Sequence, residues 1–217
     1  LLVAALSWPC ASAQRAAGEG QPFRAGTVTE GIEHPWGMAF LPDGNLLVTG
    51  RPERRVGDDG RKLCGPRATA PEVVARGQGG LLDVALHPKF AENRLIYLSF
   101  SEPRSLGSNS TSLARARLSD DGSALENVEV IFRQQPAIRS TAHFGGRIAF
   151  APDGNLFLTL GDRYSQRDSA QDLSTHIGKT VRLADDGKAA AGNPFIGQAD
   201  ALPEIWSYGH RNPQGAT

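Results

Sequence analysis

Four polar residues in this sequence of 217 residues stand a few positions ahead of segments that read as β-hairpins: Gln78, His143, Arg211 and Asn212. Gln78 lies in Gly77-Gln78-Gly79-Gly80-Leu81-Leu82-Asp83, where the glycines let backbone and the Gln78 amide come close to a flat ligand. His143 opens His143-Phe144-Gly145-Gly146-Arg147. An imidazole, with an ordinary pKa of about 6.5, is suited to take a proton from a substrate hydroxyl at neutral pH. Arg211 and Asn212 belong to Glu204-Ile205-Trp206-Ser207-Tyr208-Gly209-His210-Arg211-Asn212-Pro213-Gln214-Gly215. A guanidinium carries a planar fork of donors that matches carboxylates, so Arg211 suits an acidic ligand. Asp162, after Gly161 at the end of a strand-like run, either caps a turn or orients the imidazole of His143.

The elements that must position these residues repeat along the chain. Met38-Ala39-Phe40-Leu41-Pro42-Asp43-Gly44-Asn45-Leu46-Leu47-Val48-Thr49 recurs as Ile148-Ala149-Phe150-Ala151-Pro152-Asp153-Gly154-Asn155-Leu156-Phe157-Leu158-Thr159. A looser copy runs from Val84 to Phe90 and continues Arg94-Leu95-Ile96-Tyr97-Leu98-Ser99, and Pro213 to Thr217 opens a fourth. Each reads strand, Pro-Asp-Gly-Asn-type turn, strand, because Pro presets φ and Gly accepts a positive φ. Val128 to Phe132 and Lys179 to Leu183 supply further strands, and a short helical turn is expected near Ala170 to His176. Hairpins recurring every roughly 45 to 70 residues predict the four-stranded blades of a β-propeller. The fold class is therefore all-β. In a propeller the loops entering the innermost strands converge on one end of the central channel, so Gln78, His143, Arg211 and Asn212 are expected to meet there. Three copies and a stub cannot close a ring, so the chain is expected to be part of a longer protein.

Composition limits the function classes. With 40% apolar and 21% charged residues the chain buries a core. Lys and Arg number 23 against 23 Asp and Glu, without a basic stretch, which argues against nucleic acid as a partner. No apolar run approaches the ~20 residues of a membrane-spanning helix. Leu1 to Leu6 followed by Ala11-Ser12-Ala13 reads as a secretory signal over residues 1–13, cut at its start, with Gln14 as the first mature residue and 14–30 as a linker. Periplasmic or secreted protein is the expected product. Cleavage removes Cys10 and leaves Cys64 as an unpaired bystander. His34, His87, His176 and His210 lack metal-ligand spacing and read as solvated or loop residues. The Asp-Gly pairs at Asp43, Asp121, Asp153 and Asp186 read as turns, and Arg51 to Arg55 with Arg61 as a solvated loop.

At Gly77 to Asp83, His143 to Arg147 and Trp206 to Gly215 the chain resembles the soluble PQQ-dependent sugar dehydrogenases, the glucose/sorbosone dehydrogenase family, and within it the aldose sugar dehydrogenases. The resemblance runs from about Gly31 to the last residue, over the segment 31–217. It implies a six-bladed propeller of which this chain covers roughly the first half, with pyrroloquinoline quinone (PQQ) over the channel mouth, held by calcium and basic side chains. By match of motif, Gln78, Arg211 and Asn212 correspond to cofactor contacts, His143 to the general base, Asp162 to its orienting carboxylate, and Gln166, with Gln78, to a substrate contact. No metal ligand is assigned within these residues. Ala142 stands where glucose-preferring relatives carry an acidic residue, which weakens any inference of glucose specificity.

The reaction so implied is oxidation of an aldose at its anomeric carbon, with electrons passing to an external quinone, cytochrome or dye. Two other readings use the same face: an exported propeller without redox activity that binds a protein or glycan, and a calcium-dependent hydrolase. The Gln78, His143, Arg211-Asn212 set argues against the first, and the lack of an acidic cluster against the second. These residues alone are expected to be inactive as an enzyme.

Overall fold

The computed structural model describes residues 30–51 and 70–217, together with 15–16, 23–24, 26–27 and 56–58. The predicted signal segment with Cys10, the first mature residue Gln14, Cys64, and Arg54, Arg55 and Arg61 lie outside the described residues. Contacts divide the chain into Leu1–Gly31 and Ile32–Thr217. In the first unit, β1 (Arg15–Ala16) pairs antiparallel with β2 (Phe23–Arg24).

Among the described residues the second unit holds three antiparallel sheets in chain order. β3 (Pro35–Phe40), β4 (Leu46–Gly50) and β5 (Val56–Asp58) form the first. The second is β6 (Leu81–Leu86), β7 (Leu95–Pro103), β8 (Asn109–Leu118) and β9 (Leu125–Arg133). The third is β10 (Gly145–Phe150), β11 (Leu156–Leu160), β12 (Lys179–Leu183) and β13 (Ile205–Tyr208). Strands follow one another up and down within each sheet, and the first strands β3, β6 and β10 pack side by side. These are consecutive propeller blades with their first strands innermost.

The copied hairpins fold alike because their turns are chemically alike. Leu41 N–H donates to Asn45 O at 2.8 Å and Ala151 N–H to Asn155 O at 2.8 Å. Asp43 and Asp153 each accept the N–H two residues on at 3.0 Å. Gly44 and Gly154 both stand at φ +86°, where a side chain is disfavoured. The looser copy replaces this turn with one turn of helix, α1 (Phe90–Asn93), whose Phe90 is buried in the core. The helical turn expected at 170–176 forms earlier, as a 3₁₀ segment at Arg167–Gln171.

Two apolar layers hold the blades together, and strand periodicity distributes the side chains between them. Ile96, Leu98 and Phe100 of β7 point into a layer with Leu47, Leu81 and Val84, between the first and second blades. Tyr97 points the other way, into a layer with Ile148, Leu156, Leu158, Val181 and Leu183. A polar clasp recurs near the axis. Each innermost strand is bulged, and the N–H freed there donates to a hydroxyl at the end of its own hairpin: Gly37 to Thr49 at 2.9 Å, Asp83 to Ser99 at 3.0 Å, Arg147 to Thr159 at 2.9 Å. The same hydroxyls donate onward to the next innermost segment, Thr49 to Leu82 O, Ser99 to Gly146 O, and Thr159 to Pro213 O at 3.1 Å. Pro213 thus occupies the position that opens a fourth copy.

Candidate active site

The loop from Ser140 to Phe144 leads into β10, and it delivers His143 with φ at +52°. Gly161 makes this approach possible: a Cβ there would lie 2.0 Å from His143 O. The imidazole is buried, and its Nδ1 lies 2.6 Å from Asp162 Oδ1. An ionised carboxylate only accepts, so Nδ1 carries the proton and Nε2 is left as the basic nitrogen. The same Oδ1 accepts the Tyr164 N–H at 2.8 Å, which fixes the carboxylate in turn.

Three of the other sequence-predicted residues, Gln78, Asn212 and Arg211, converge on this pair. Gln78 is exposed, and its Oε1 accepts the His143 N–H at 2.8 Å. Asn212 Oδ1 accepts the Gly145 N–H at 3.1 Å. Arg211 joins through its carbonyl, which accepts the Asp162 N–H at 2.8 Å, while its exposed guanidinium makes no hydrogen bond among the described residues. Gln166 is not brought into this network. It is half-buried, caps the 3₁₀ segment through its backbone, and makes no side-chain hydrogen bond among the described residues.

Beside the pair lies a cavity of about 400 Å³ lined by Trp36, Arg51, Gln78, Phe144, Gly145, Asn212 and Gln214. Two aromatic residues, an arginine and three residues with carboxamides line it, and among the described residues no Asp or Glu does. That set suits a flat, anionic ligand. Among the described residues no group of three or more His, Cys, Asp and Glu is arranged to hold a metal ion.

Sequence reasoning missed several supporting residues. Arg163 is completely buried without a carboxylate partner among the described residues, and burial pushes its guanidinium down to about 10. It donates to Ala142 O at 3.3 Å, Ser140 O at 3.1 Å, and both Asn109 O and Oδ1, and stacks 4.0 Å from the centre of the Phe144 ring. It therefore grips the chain on both sides of His143. Lys179 is also buried, which pushes its ammonium down to about 8, and it ties the carbonyls of Ser169, Ala170 and Ile177. No motif marks either residue. Asp83 and Arg147 did carry a signal, since both stand immediately before a repeat copy. Their side chains join at 2.8 Å across neighbouring innermost strands. Burial pushes the Asp83 carboxyl up, against the opposing pull of the Ile148 N–H and Arg147. His176 corrects the solvated reading of the spare histidines: it is buried, takes the Gln135 N–H on Nδ1 at 3.2 Å and meets Glu204 at 3.3 Å.

Fold and site together define a propeller whose loops bring a buried His–Asp pair together next to a cavity lined by aromatic, arginine and carboxamide residues. The sequence profile described as Glucose / Sorbosone dehydrogenase matches residues 32–217, and the chain belongs to that family. It is 48% identical over 186 residues to the aldose sugar dehydrogenase YliI of Escherichia coli, a match covering 85% of this chain and 50% of that protein. The crystal structure of the soluble aldose sugar dehydrogenase of E. coli in its apo form superposes with a TM-score of 0.79 at 46% identity, over 83% of this chain and 52% of that one. The PQQ-bound aldose sugar dehydrogenase of Streptomyces coelicolor gives 0.71 at 36% identity, over 86% and 53%. The chain thus spans about half the length of the relatives it matches. Among the described residues no helix is long and apolar enough to cross a membrane.

Proposed function

We propose that the full-length protein is an exported, PQQ-dependent aldose dehydrogenase that converts the anomeric hydroxyl of a sugar to a lactone. The observation that carries this reading is the 2.6 Å contact of His143 Nδ1 with buried Asp162, which frees Nε2 to act as a base in the residue directly before Phe144 and Gly145 of the cavity lining. Bound PQQ supplies a two-electron acceptor for the hydride. Nε2 takes the proton from the anomeric O–H as the C1–H bond gives up its hydride and the lactone C=O forms. Asp162 holds the tautomer and stabilises the imidazolium that results. Gln78 fixes the main chain of His143 through the carboxamide oxygen, which leaves its NH₂ for the cofactor or sugar. Asn212 likewise holds Gly145 N–H, and the guanidiniums of Arg51 and Arg211 are suited to cofactor carboxylates.

Calcium and the external acceptor, a quinone, cytochrome or dye, belong to the same proposal for the full-length protein; no step above passes through the metal. The 217-residue chain alone is proposed to be inactive. Spectral titration of the full-length protein with PQQ and Ca²⁺, followed by addition of an aldose, tests the reading. A saturable PQQ spectrum that bleaches on sugar addition supports it. Absence of PQQ binding favours a non-catalytic binding propeller instead.

A further inference from the structure

We infer that Tyr164 forms the wall of a sugar subsite beside His143, an aromatic face for the C–H surface of an aldopyranose whose anomeric hydroxyl meets Nε2. The inference rests on the aldose reading above. Tyr164 is 65% exposed, although Asp162 and Arg163 immediately before it are buried. Arg163 and Tyr164 stand at φ +56° and +63°, in the left-handed region that costs energy for side chains other than glycine. His143, at +52°, makes a third such residue in the same site. For Arg163 the fold itself explains the conformation, because its side chain is consumed by carbonyls around the His143 loop.

The Tyr164 side chain is not consumed in this way. Its hydroxyl makes no hydrogen bond among the described residues, and its ring stands edge to face with the imidazole of His143, centroids 5.3 Å apart and planes at 76°. Its N–H is fixed by Asp162 Oδ1, the oxygen that also faces His143 Nδ1. Base and aromatic ring are thus registered to one buried atom while the ring stays open to a ligand. The other exposed aromatics of the third blade are less open and contact other rings than the imidazole: Trp206 meets Phe157 and Arg182, and Tyr208 meets Phe195.

The ligand class follows from the geometry of an aromatic face beside a base. A pyranose is apolar on its faces, where axial C–H groups project, and polar on its rim. An aromatic ring takes the face by dispersion and burial and leaves the rim hydroxyls for carboxamides and the imidazole. An acyclic polyol offers no such face.

Tyr164→Ala and Tyr164→Phe in the PQQ-loaded full-length protein test this. The alanine variant should raise the aldopyranose KM roughly three- to tenfold, the range expected for one aromatic contact. It should leave kcat within about twofold, and Tyr164→Phe should restore KM to within about twofold, as uniform binding through a ring face requires. Saturation-transfer NMR on the cofactor-free protein gives a readout without turnover. Sugar ring protons should take up saturation with the parent and the phenylalanine variant and lose most of it with alanine. An alanine variant with unchanged KM and unchanged saturation transfer overturns the subsite while leaving the aldose reading intact. So does a loss of kcat at unchanged KM, or a rise in the KM of the electron acceptor in place of the sugar. A parent protein that neither binds nor oxidises any aldose removes the reading and the subsite together.

Discussion

The hairpins at 38–49 and 148–159 are near copies, and each is entered through a histidine in the left-handed region, His34 at φ +48° and His143 at +52°. In both, the histidine carbonyl accepts the N–H of an arginine that follows the second strand, Arg51 at 3.1 Å and Arg163 at 3.3 Å. The surroundings differ. His143 is buried against Asp162, whereas His34 is exposed and its imidazole has no hydrogen bond or ion pair among the described residues. Arg51 remains half-buried and reaches Gly77 O at 2.6 Å, while Arg163 is sealed inside. The first blade leaves its second strand through Gly50-Arg51, the third through Gly161-Asp162-Arg163, which adds a carboxylate at the point where the histidine ring arrives. The repeat supplies a pose for the histidine, and the acid beside it adds the hydrogen bond that the proposed proton transfer needs.

The largest effect should separate the two histidines. His143→Gln in the full-length, PQQ-loaded protein should lower kcat by about 10²- to 10⁴-fold, the usual worth of a general base. That is roughly 3 to 5 kcal/mol of barrier. PQQ binding should survive, since Gln78, Arg211 and Asn212 keep their places. His34→Gln should change kcat by less than about twofold, as substitutions at exposed sites generally do. Steady-state kinetics with an aldose and an artificial acceptor decide the matter, and equal losses in the two variants would break the comparison.

Next in size is the carboxylate itself. Asp162→Asn keeps shape, but an amide can donate to Nδ1 as readily as accept from it, so the tautomer that leaves Nε2 basic is no longer enforced. A fall in kcat of about 10²-fold is expected, with KM nearly unchanged. An asparagine variant at full activity would reduce Asp162 to the turn cap that its sequence context also allowed.

The arginines sharpen the comparison through stability. Arg163→Met leaves Asn109 Oδ1 without a donor in a buried site and takes one of two donors from each of the carbonyls of Ser140, Ala142 and Asn109, and a loss of about 2 kcal/mol is expected. Arg51→Met strands one carbonyl in a more open place and should cost under about 1 kcal/mol. Denaturant unfolding of the cofactor-free proteins measures both.

Legibility in the sequence followed the range of the interactions. Turns, hairpins and the blade repeat are local, so Pro, Asp, Gly and Asn at fixed offsets revealed them, and convergence of Gln78, His143 and Asn212 followed from their common place ahead of the copies. Asp162 was visible only as a carboxylate after a strand, because nothing nearby in sequence shows that it meets a residue nineteen positions earlier. Arg163 and Lys179 were invisible for a different reason. A buried cation satisfied by main-chain carbonyls has no partner residue type, and hence no motif. Gln166 shows the converse: the motif match named it, yet the loop places it on the 3₁₀ segment with no bond to the pair.

The smallest effect concerns what the two copies share. Thr49 and Thr159 end their hairpins at the same repeat position, and each takes a bulge N–H from its own blade and donates to a carbonyl of the next innermost segment. Thr→Val keeps the volume and removes both bonds, leaving Gly37 N–H and Leu82 O unpaired in one case and Arg147 N–H and Pro213 O in the other. Each variant should lose about 1 to 2 kcal/mol, because a donor and an acceptor are stranded, buried at Thr49 and partly buried at Thr159, while the methyl groups still pack. The Thr49 loss should be the larger of the two, since water reaches the partly buried groups that Thr159 leaves, and the double variant should lose the sum of both within about 0.5 kcal/mol. Activity supplies the contrast. Thr49→Val acts far from the pair and should leave kcat unchanged, whereas Pro213 adjoins Asn212, whose carboxamide holds Gly145 N–H, so Thr159→Val should lower kcat by about threefold, a slackened support with the base still in place. A stability loss confined to one of the two threonines would show that the clasp is not a shared property of the copies, and that the blades differ in how they are joined as well as in the chemistry they carry.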